Sequence, residues 1–322
     1  MTQMESFSVR AAIPFVSQEN PEKERVWLET LSKYLPDEAI LPLDKLSEGE
    51  RQLADVAIVA NPDPQALKQL PNLVWVHSVW AGVERLVNDL SEQSFSIVRL
   101  VDPQLQEAMA EAVQAWSLYL HRDMFEYAKL QRQATWQPLP YVPASARTIG
   151  VLGLGELGRA SAERLLATGF NVIGWSRNEK IIDQVTTYTG DEGLETVLKS
   201  SDIVVCLLPL TKDTRGLLGF EALAMMQPGA CIINFARGDV IDEEALQYAL
   251  NTGQLKHAVL DVFAIEPLPK SHPFWTHPNI TVLPHISAQT NIDSACQIVA
   301  QNIRNYRLLN LLPDVVDTKR GY

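Results

Sequence analysis

Short apolar runs alternate with polar, helix-forming stretches along most of the chain, and this alternation predicts strands and helices in turn. Residues 8–16 read as a strand, and Glu22 to Leu35 as a helix halted at Pro36. Ala54 to Ala60 is a second strand, broken by Asn61-Pro62-Asp63-Pro64. Leu73 to His77 gives a third, Val83 to about Leu90 a helix, and Phe95 to Leu100 a fourth strand. Gln104 to Arg132 has little Gly or Pro and predicts one long helix, ending before Trp136 and a Pro138–Pro143 loop. Beyond it, Arg147 to Leu152, Asn171 to Trp175 and Asp202 to Leu208 read as strands, with a helix from Arg159 to Thr168 closed by Gly169. The tail, Asn291 to Leu309, carries Ile292, Cys296, Ile298, Val299, Ile303 and Tyr306 at helical spacing.

Strands alternating with helices imply parallel sheets covered on both faces, an α/β architecture. At 322 residues the chain is long for one core, so two doubly wound domains are expected. Residues 1–101 with 290–322 form one, because the tail helix can cross back onto the first unit. Residues 102–289 form the other. The chain then passes between the domains twice, which predicts a cleft with hinges near 101–103 and 286–290.

Composition narrows the function classes. Apolar residues at 46% and charged ones at 20% are those of an ordinary globular protein. A net charge of −12 argues against nucleic acid or an anionic membrane as the main partner, though a local positive pocket for an anionic substrate stays possible. Met1 to Arg10 shows no apolar signal-peptide core, and the longest apolar stretch, Ile203 to Leu208, is far too short to span a bilayer. Cys206, Cys231 and Cys296 are odd in number and lack ligand spacing, so reduced thiols, a cytoplasmic location and no metal are expected.

The strand at Arg147–Leu152 runs directly into Gly153-Leu154-Gly155-Glu156-Leu157-Gly158, followed by a helix and a second strand. Such a GxGxxG in a βαβ setting is a dinucleotide fingerprint. Gly153 permits the tight turn, Gly155 lets backbone approach a pyrophosphate, and Gly158 allows close packing, with the anion on the helix N-terminus. An acidic residue after the second strand would bind the ribose hydroxyls of NAD. Here Trp175-Ser176-Arg177-Asn178-Glu179-Lys180 puts a hydroxyl and a guanidinium there instead. Ser176, Arg177 and Lys180 suit a 2′-phosphate, so NADP(H) is preferred and NAD(H) possible.

Three later apolar runs each lead into one polar residue: Ile232-Ile233-Asn234-Phe235 into Arg237, Ala258 to Val262 into Glu266, and Ile280 to Pro284 into His285. Ligands of parallel sheets bind outside the carboxyl ends of the strands, where these side chains should converge. A guanidinium grips a carboxylate, and an imidazole with a carboxylate partner is a tuned proton donor. Together they suit reduction of a 2-keto acid. Separately, each has a plainer reading as a core histidine, a turn glutamate or a surface arginine.

These motifs resemble the D-isomer-specific 2-hydroxyacid dehydrogenases. The likeness is dense over Gly153–Gly158, Asn234–Gly238, Asp261–Pro269 and Pro284-His285-Ile286. It is thinner in the first domain, resting on length and the Ala81-Gly82-Val83 loop. Trp175-Ser176-Arg177, Trp136–Pro140 and Pro273-Phe274-Trp275 bring it nearest the glyoxylate/hydroxypyruvate reductase A subgroup. The resemblance implies two Rossmann-like or flavodoxin-like domains and reduction of glyoxylate and hydroxypyruvate to glycolate and D-glycerate. It implies that Arg237 binds substrate, His285 donates the proton and Glu266 is its partner. Amides of Trp80, Ala81 and Gly82 would hold the substrate carboxylate. Gly153, Gly155, Glu156, Leu157, Gly158, Ser176, Arg177, Lys180, Leu208, Pro209, Ala236 and Asp261 would line the cofactor, and the protein would be a homodimer built through the cofactor domain.

Two other classes share the fold. A dinucleotide-sensing corepressor would keep the same triad as a binding scaffold, and would need partner-binding tails. A Rossmann methyltransferase would have no use for Arg237, Glu266 and His285. A D-2-hydroxyacid dehydrogenase for a different substrate also stays open. Trp80 and Trp275 are candidate walls of a small pocket, and a structural role suits His77.

Overall fold

The computed structural model describes residues 11–90 and 94–318. The start of the strand expected at 8–16 and the whole Met1–Arg10 segment lie outside the described residues. The chain divides into two compact units, Met1–Asp102 with Thr290–Tyr322, and Pro103–Gln289.

In the first unit, β1 (Ile13–Ser17), β2 (Ile40–Pro42), β3 (Val56–Ala60), β4 (Trp75–Ser78) and β5 (Ser96–Val98) form one parallel sheet in the order β2-β1-β3-β4-β5. Its helices are α1 (Pro21–Tyr34), α2 (Glu48–Leu53), α3 (Pro64–Leu67) and α4 (Glu84–Asp89). Asn20 caps α1 by accepting from Lys23 N, with Pro21 at the first helical position. β3 is buried along its whole length, as a central strand covered on both faces must be.

The second unit runs α5 (Pro103–His121), α6 (Met124–Arg132), β6 (Thr148–Leu152), α7 (Glu156–Ala167), β7 (Asn171–Trp175), β8 (Thr186–Tyr188), α8 (Gly190–Ser200) and β9 (Ile203–Cys206). It continues with α9 (Phe220–Met225), β10 (Ala230–Asn234), α10 (Glu243–Asn251), β11 (Leu255–Leu260) and β12 (Ile280–Val282). Its seven strands are all parallel, in the order β12-β11-β10-β9-β6-β7-β8. One face packs on α5 and α7 through Met109, Val113, Ala162 and Leu165, and the other on α8, α9 and α10 through Val197, Leu223 and Leu246. The tail helix α11 (Ile292–Leu309) belongs to the first unit, where Cys296, Val299 and Ile303 pack with Trp27 and Leu31 of α1. Arg307 of α11 places Nη1 2.7 and 2.9 Å from the Asp55 oxygens, a second tie to that sheet.

Three local expectations need correction. The stretch Gln104 to Arg132 is two helices, because Asp123 adopts φ 52° and its carboxylate pairs with Lys256 at 2.6 Å. Helix α7 begins at Glu156, not Arg159, so Gly158 lies inside its first turn. The short strands β2 and β8, at or near sheet edges, were not anticipated.

Candidate active site

The strand order of the second unit reverses at β6, which has β9 on one side and β7 on the other. Because every strand is parallel, the loops after β6, β7, β9, β10, β11 and β12 all leave the same edge of the sheet. Each carries residues singled out in the sequence.

The glycine loop has the shape its spacing demands. Gly153 has φ 100°, and a Cβ there would lie 2.7 Å from Leu207 O, so the turn is pressed against the end of β9 beside Leu208 and Pro209. A Cβ at Gly158 would overlap the Gly153 carbonyl oxygen. Gly155 differs, since a Cβ there would meet nothing within 4 Å. It is also the N-cap of α7 with no side-chain cap. Glu156 opens the helix and Leu157 packs on the apolar cluster beneath. A helix N-terminus without a side-chain cap, with open space beside Gly155, fits a dinucleotide pyrophosphate.

After β7, Ser176 is buried and its hydroxyl donates to Asn178 O at 2.6 Å, tightening the turn. Arg177 Nη2 donates to Asp213 Oδ2 at 3.1 Å. Lys180 is exposed, and its carbonyl accepts from Thr187 Oγ1 at 2.6 Å. No carboxylate leaves β7 itself, and the exposed guanidinium fits a 2′-phosphate.

The acid–base pair is assembled by two neighbouring strands. His285 Nδ1 donates to Glu266 Oε2 at 2.7 Å, while Glu266 Oε1 accepts from Phe263 N at 2.9 Å. The bond from Glu266 holds the His285 pKa above its ordinary value, against burial and the Arg237 charge, which lower it. For Glu266, burial alone would raise the carboxyl, but the bonds from His285 and Phe263 N outweigh it and the net shift is downward. A glutamate kept ionised fixes the proton on Nδ1 and leaves Nε2 for a substrate. Arg237, from the loop after β10, donates from Nη1 to Ala236 O at 2.6 Å.

Several supporting residues were given no such role in the sequence. Asn234, at the end of β10, donates to Arg237 O at 3.0 Å and accepts from Ala236 N at 3.1 Å, bracing the turn that presents Arg237. Asp261 was expected at the cofactor. It is buried, and its two oxygens accept from Ile286 N at 2.7 Å and Ser287 N at 2.8 Å. Its carbonyl accepts from His285 N at 3.0 Å. Asp261 thus clamps the turn in which His285 adopts φ 54°. The one legible signal was a polar residue closing each apolar run.

Trp80, Ala81 and Gly82 lie in the first unit after β4, with Trp80 edge-on to Trp27 at 5.8 Å. His77 is fully buried between Ser78 O and Asn302 Nδ2, and burial pushes its pKa down to about 4, a structural histidine. Burial also lowers His121, His257 and His277, whereas His285 moves upward. Trp275 is half exposed and its indole donates to Pro269 O at 2.9 Å. Among the described residues, no group of three or more His, Cys, Asp or Glu could hold a metal, and no helix is long and apolar enough to cross a membrane.

Comparison with known proteins agrees with this geometry. Residues 115–287 match the family model of the D-isomer specific 2-hydroxyacid dehydrogenase, NAD binding domain. The chain is 37% identical over 304 residues to glyoxylate/hydroxypyruvate reductase A of Serratia proteamaculans, covering 92% of this chain and 96% of that one. A D-isomer specific 2-hydroxyacid dehydrogenase from Xanthobacter autotrophicus, solved with NADPH and MES, superposes with a TM-score of 0.90 at 36% identity, over 97% of this chain and 100% of that one. The NADPH-dependent glyoxylate/hydroxypyruvate reductase of Sinorhizobium meliloti, solved with NADP and sulfate, gives 0.88 at 32% identity, over 97% and 100%. With the glycine turn, the guanidinium and the Glu266–His285 pair on one sheet edge, the chain belongs to the D-isomer specific 2-hydroxyacid dehydrogenases.

Proposed function

We propose that the protein reduces small 2-keto acids, glyoxylate and hydroxypyruvate, to glycolate and D-glycerate, with NADPH preferred and NADH accepted. The observation that carries this reading is the 2.7 Å bond between His285 and Glu266 beside Arg237. When bound, the nicotinamide supplies a hydride to the carbonyl carbon. His285 holds a proton at Nε2 for the oxygen as alkoxide charge grows there. Glu266 keeps that imidazole charged and oriented, and the Arg237 fork binds the substrate carboxylate and stabilises charge on the carbonyl oxygen. The open, uncapped start of α7 holds the pyrophosphate, and Arg177 with Ser176 and Lys180 receives the 2′-phosphate. The names and bound cofactors of the relatives support the substrate class and the NADPH preference.

The same reading makes the enzyme a cytoplasmic homodimer built through the cofactor unit. Three buried, unpaired cysteines fit a reducing compartment. Trp136, fully exposed, and Tyr141, 72% exposed, stand on the 133–143 segment and offer apolar surface for a second copy.

Turnover of glyoxylate with either reduced cofactor, read at the nicotinamide absorbance, tests the activity directly. His285→Ala should lower turnover roughly 10²–10⁴-fold, while cofactor affinity stays near wild type. Cofactor binding without turnover in the wild type would favour the corepressor-like scaffold, and a branched 2-keto acid reduced faster than glyoxylate would reject the small-substrate assignment.

A further inference from the structure

No carboxylate directly follows β7, where Ser176 and Arg177 stand, yet Asp213 lies beside Arg177 in space. Asp213 Oδ2 accepts from Arg177 Nη2 at 3.1 Å, across 36 positions of sequence. It comes from the loop after β9, on a turn anchored to that strand's end. Thr211 N donates to Thr214 Oγ1 at 2.8 Å, and Thr214 Oγ1 donates to Pro209 O at 2.6 Å, with Thr214 itself buried. The two charged side chains are exposed, Arg177 by 37% and Asp213 by 77%, so a ligand can reach either from solvent.

We propose that Arg177 and Asp213 act as a paired cofactor selector, in which Arg177 takes a 2′-phosphate and Asp213 takes ribose hydroxyls. The inference rests on the reading of Arg177 as the phosphate anchor and adds a specificity-determining residue to it. An exposed ion pair is cheap to open, so it does not block the site. A 2′-phosphate must nevertheless share the Arg177 guanidinium with Asp213 or displace it, and in either case the carboxylate stays close enough to repel it. NADH has no 2′-phosphate. A carboxylate near the end of the second strand then accepts from the ribose hydroxyls, the role that an acidic residue following that strand fills in NAD-binding folds. Asp213 therefore subtracts from NADPH affinity and adds to NADH affinity, narrowing the preference that Arg177 sets.

The test is Kd for NADPH and NADH, from titration of reduced-nicotinamide fluorescence, on wild type, Asp213→Asn and Arg177→Gln. Asp213→Asn should tighten NADPH roughly three- to tenfold, an effect that shrinks at high ionic strength. The same variant should weaken NADH by about two- to fivefold, the loss of one modest hydrogen bond. Asp213 is exposed and lies outside the core, so the variant should fold. If Asp213→Asn moves neither Kd by twofold while Arg177→Gln weakens NADPH, the selector is wrong and the phosphate anchor stands. If Arg177→Gln leaves NADPH binding unchanged, the anchor is misassigned and the selector fails with it. Glyoxylate turnover, measured separately, shows whether the assigned reaction survives either result.

Discussion

His285 Nδ1 donates to Glu266 Oε2 at 2.7 Å, and this one bond sets both the tautomer and the charge of the imidazole. The other Glu266 oxygen is held by Phe263 N, so the carboxylate cannot swing away without losing a backbone partner. A proton donor whose pKa is raised stays loaded to higher pH. Reduction should therefore fall as pH rises through that raised value. Glu266→Gln removes the charge that raises it, so the alkaline limb of kcat/KM for glyoxylate should move to lower pH. The acidic limb of the reverse oxidation, which needs neutral His285, should move the same way. Profiles that coincide in wild type and variant would detach Glu266 from the proton donor.

Arg237 donates from Nη1 to the Ala236 carbonyl, which orients the guanidinium on the loop after β10. Lysine has the charge without the fork. Arg237→Lys should lose roughly 1.5–3 kcal/mol of transition-state stabilisation, one charge-assisted hydrogen bond, or about 10- to 150-fold in kcat/KM. Steady-state kinetics with glyoxylate reads this out. Wild-type values in the Lys variant would argue against bidentate binding.

Gly238, next to Arg237, lies against the backbone of the loop that carries Glu266. A Cβ there would overlap the backbone of Phe263 and Ala264, and backbone cannot turn aside as a side chain can. Gly238→Ala should push the two loops apart and cost about 10²-fold in kcat, the scale of a 1 Å misplacement of catalytic groups. Cofactor affinity should fall much less, because the glycine turn lies on other strands. Equal losses in kcat and NADPH affinity would mean that the whole sheet edge had been disturbed.

Trp136 makes the subunit proposal testable. A fully exposed tryptophan on a proline-rich segment buries about 150–250 Å² when covered. Trp136→Ser should therefore shift the enzyme toward monomer in sedimentation velocity at micromolar concentration. A wild-type protein that sediments as a monomer would remove the dimer from the proposal.

Much of this protein was legible in the chain because the signals were local. Strand β7 has the bounds its apolar pattern predicts, and the glycine spacing marks the turn after β6 without reference to anything distant. A polar residue closing each of three apolar runs was enough to nominate Arg237, Glu266 and His285, since parallel strands must deliver their ends to one edge. Apart from the start of α7, three residues earlier than expected, the failures were non-local. The helix break at Asp123 depends on Lys256, 133 positions away, and an aspartate gives no local notice of it. Short β2 and β8 owe their strand conformation to a paired neighbour rather than to their own few residues.

The same division holds inside the site. Sequence determined which residue types were available and the order in which the strands present them. Tertiary structure decided the partners. It gave Asp261 to the backbone of Ile286 and Ser287, 25 and 26 positions on, and so holds His285 at φ 54°, a left-handed conformation that costs an L residue roughly 1 kcal/mol. It also put Asp213 against Arg177, bringing a carboxylate from the loop after β9 to the end of β7, where Ser176 and Arg177 follow the strand directly. Periodicity reports which face of an element is buried. It carries no information about which side chain another strand's loop will bring within 3 Å, because that depends on crossovers and on the register of the whole sheet.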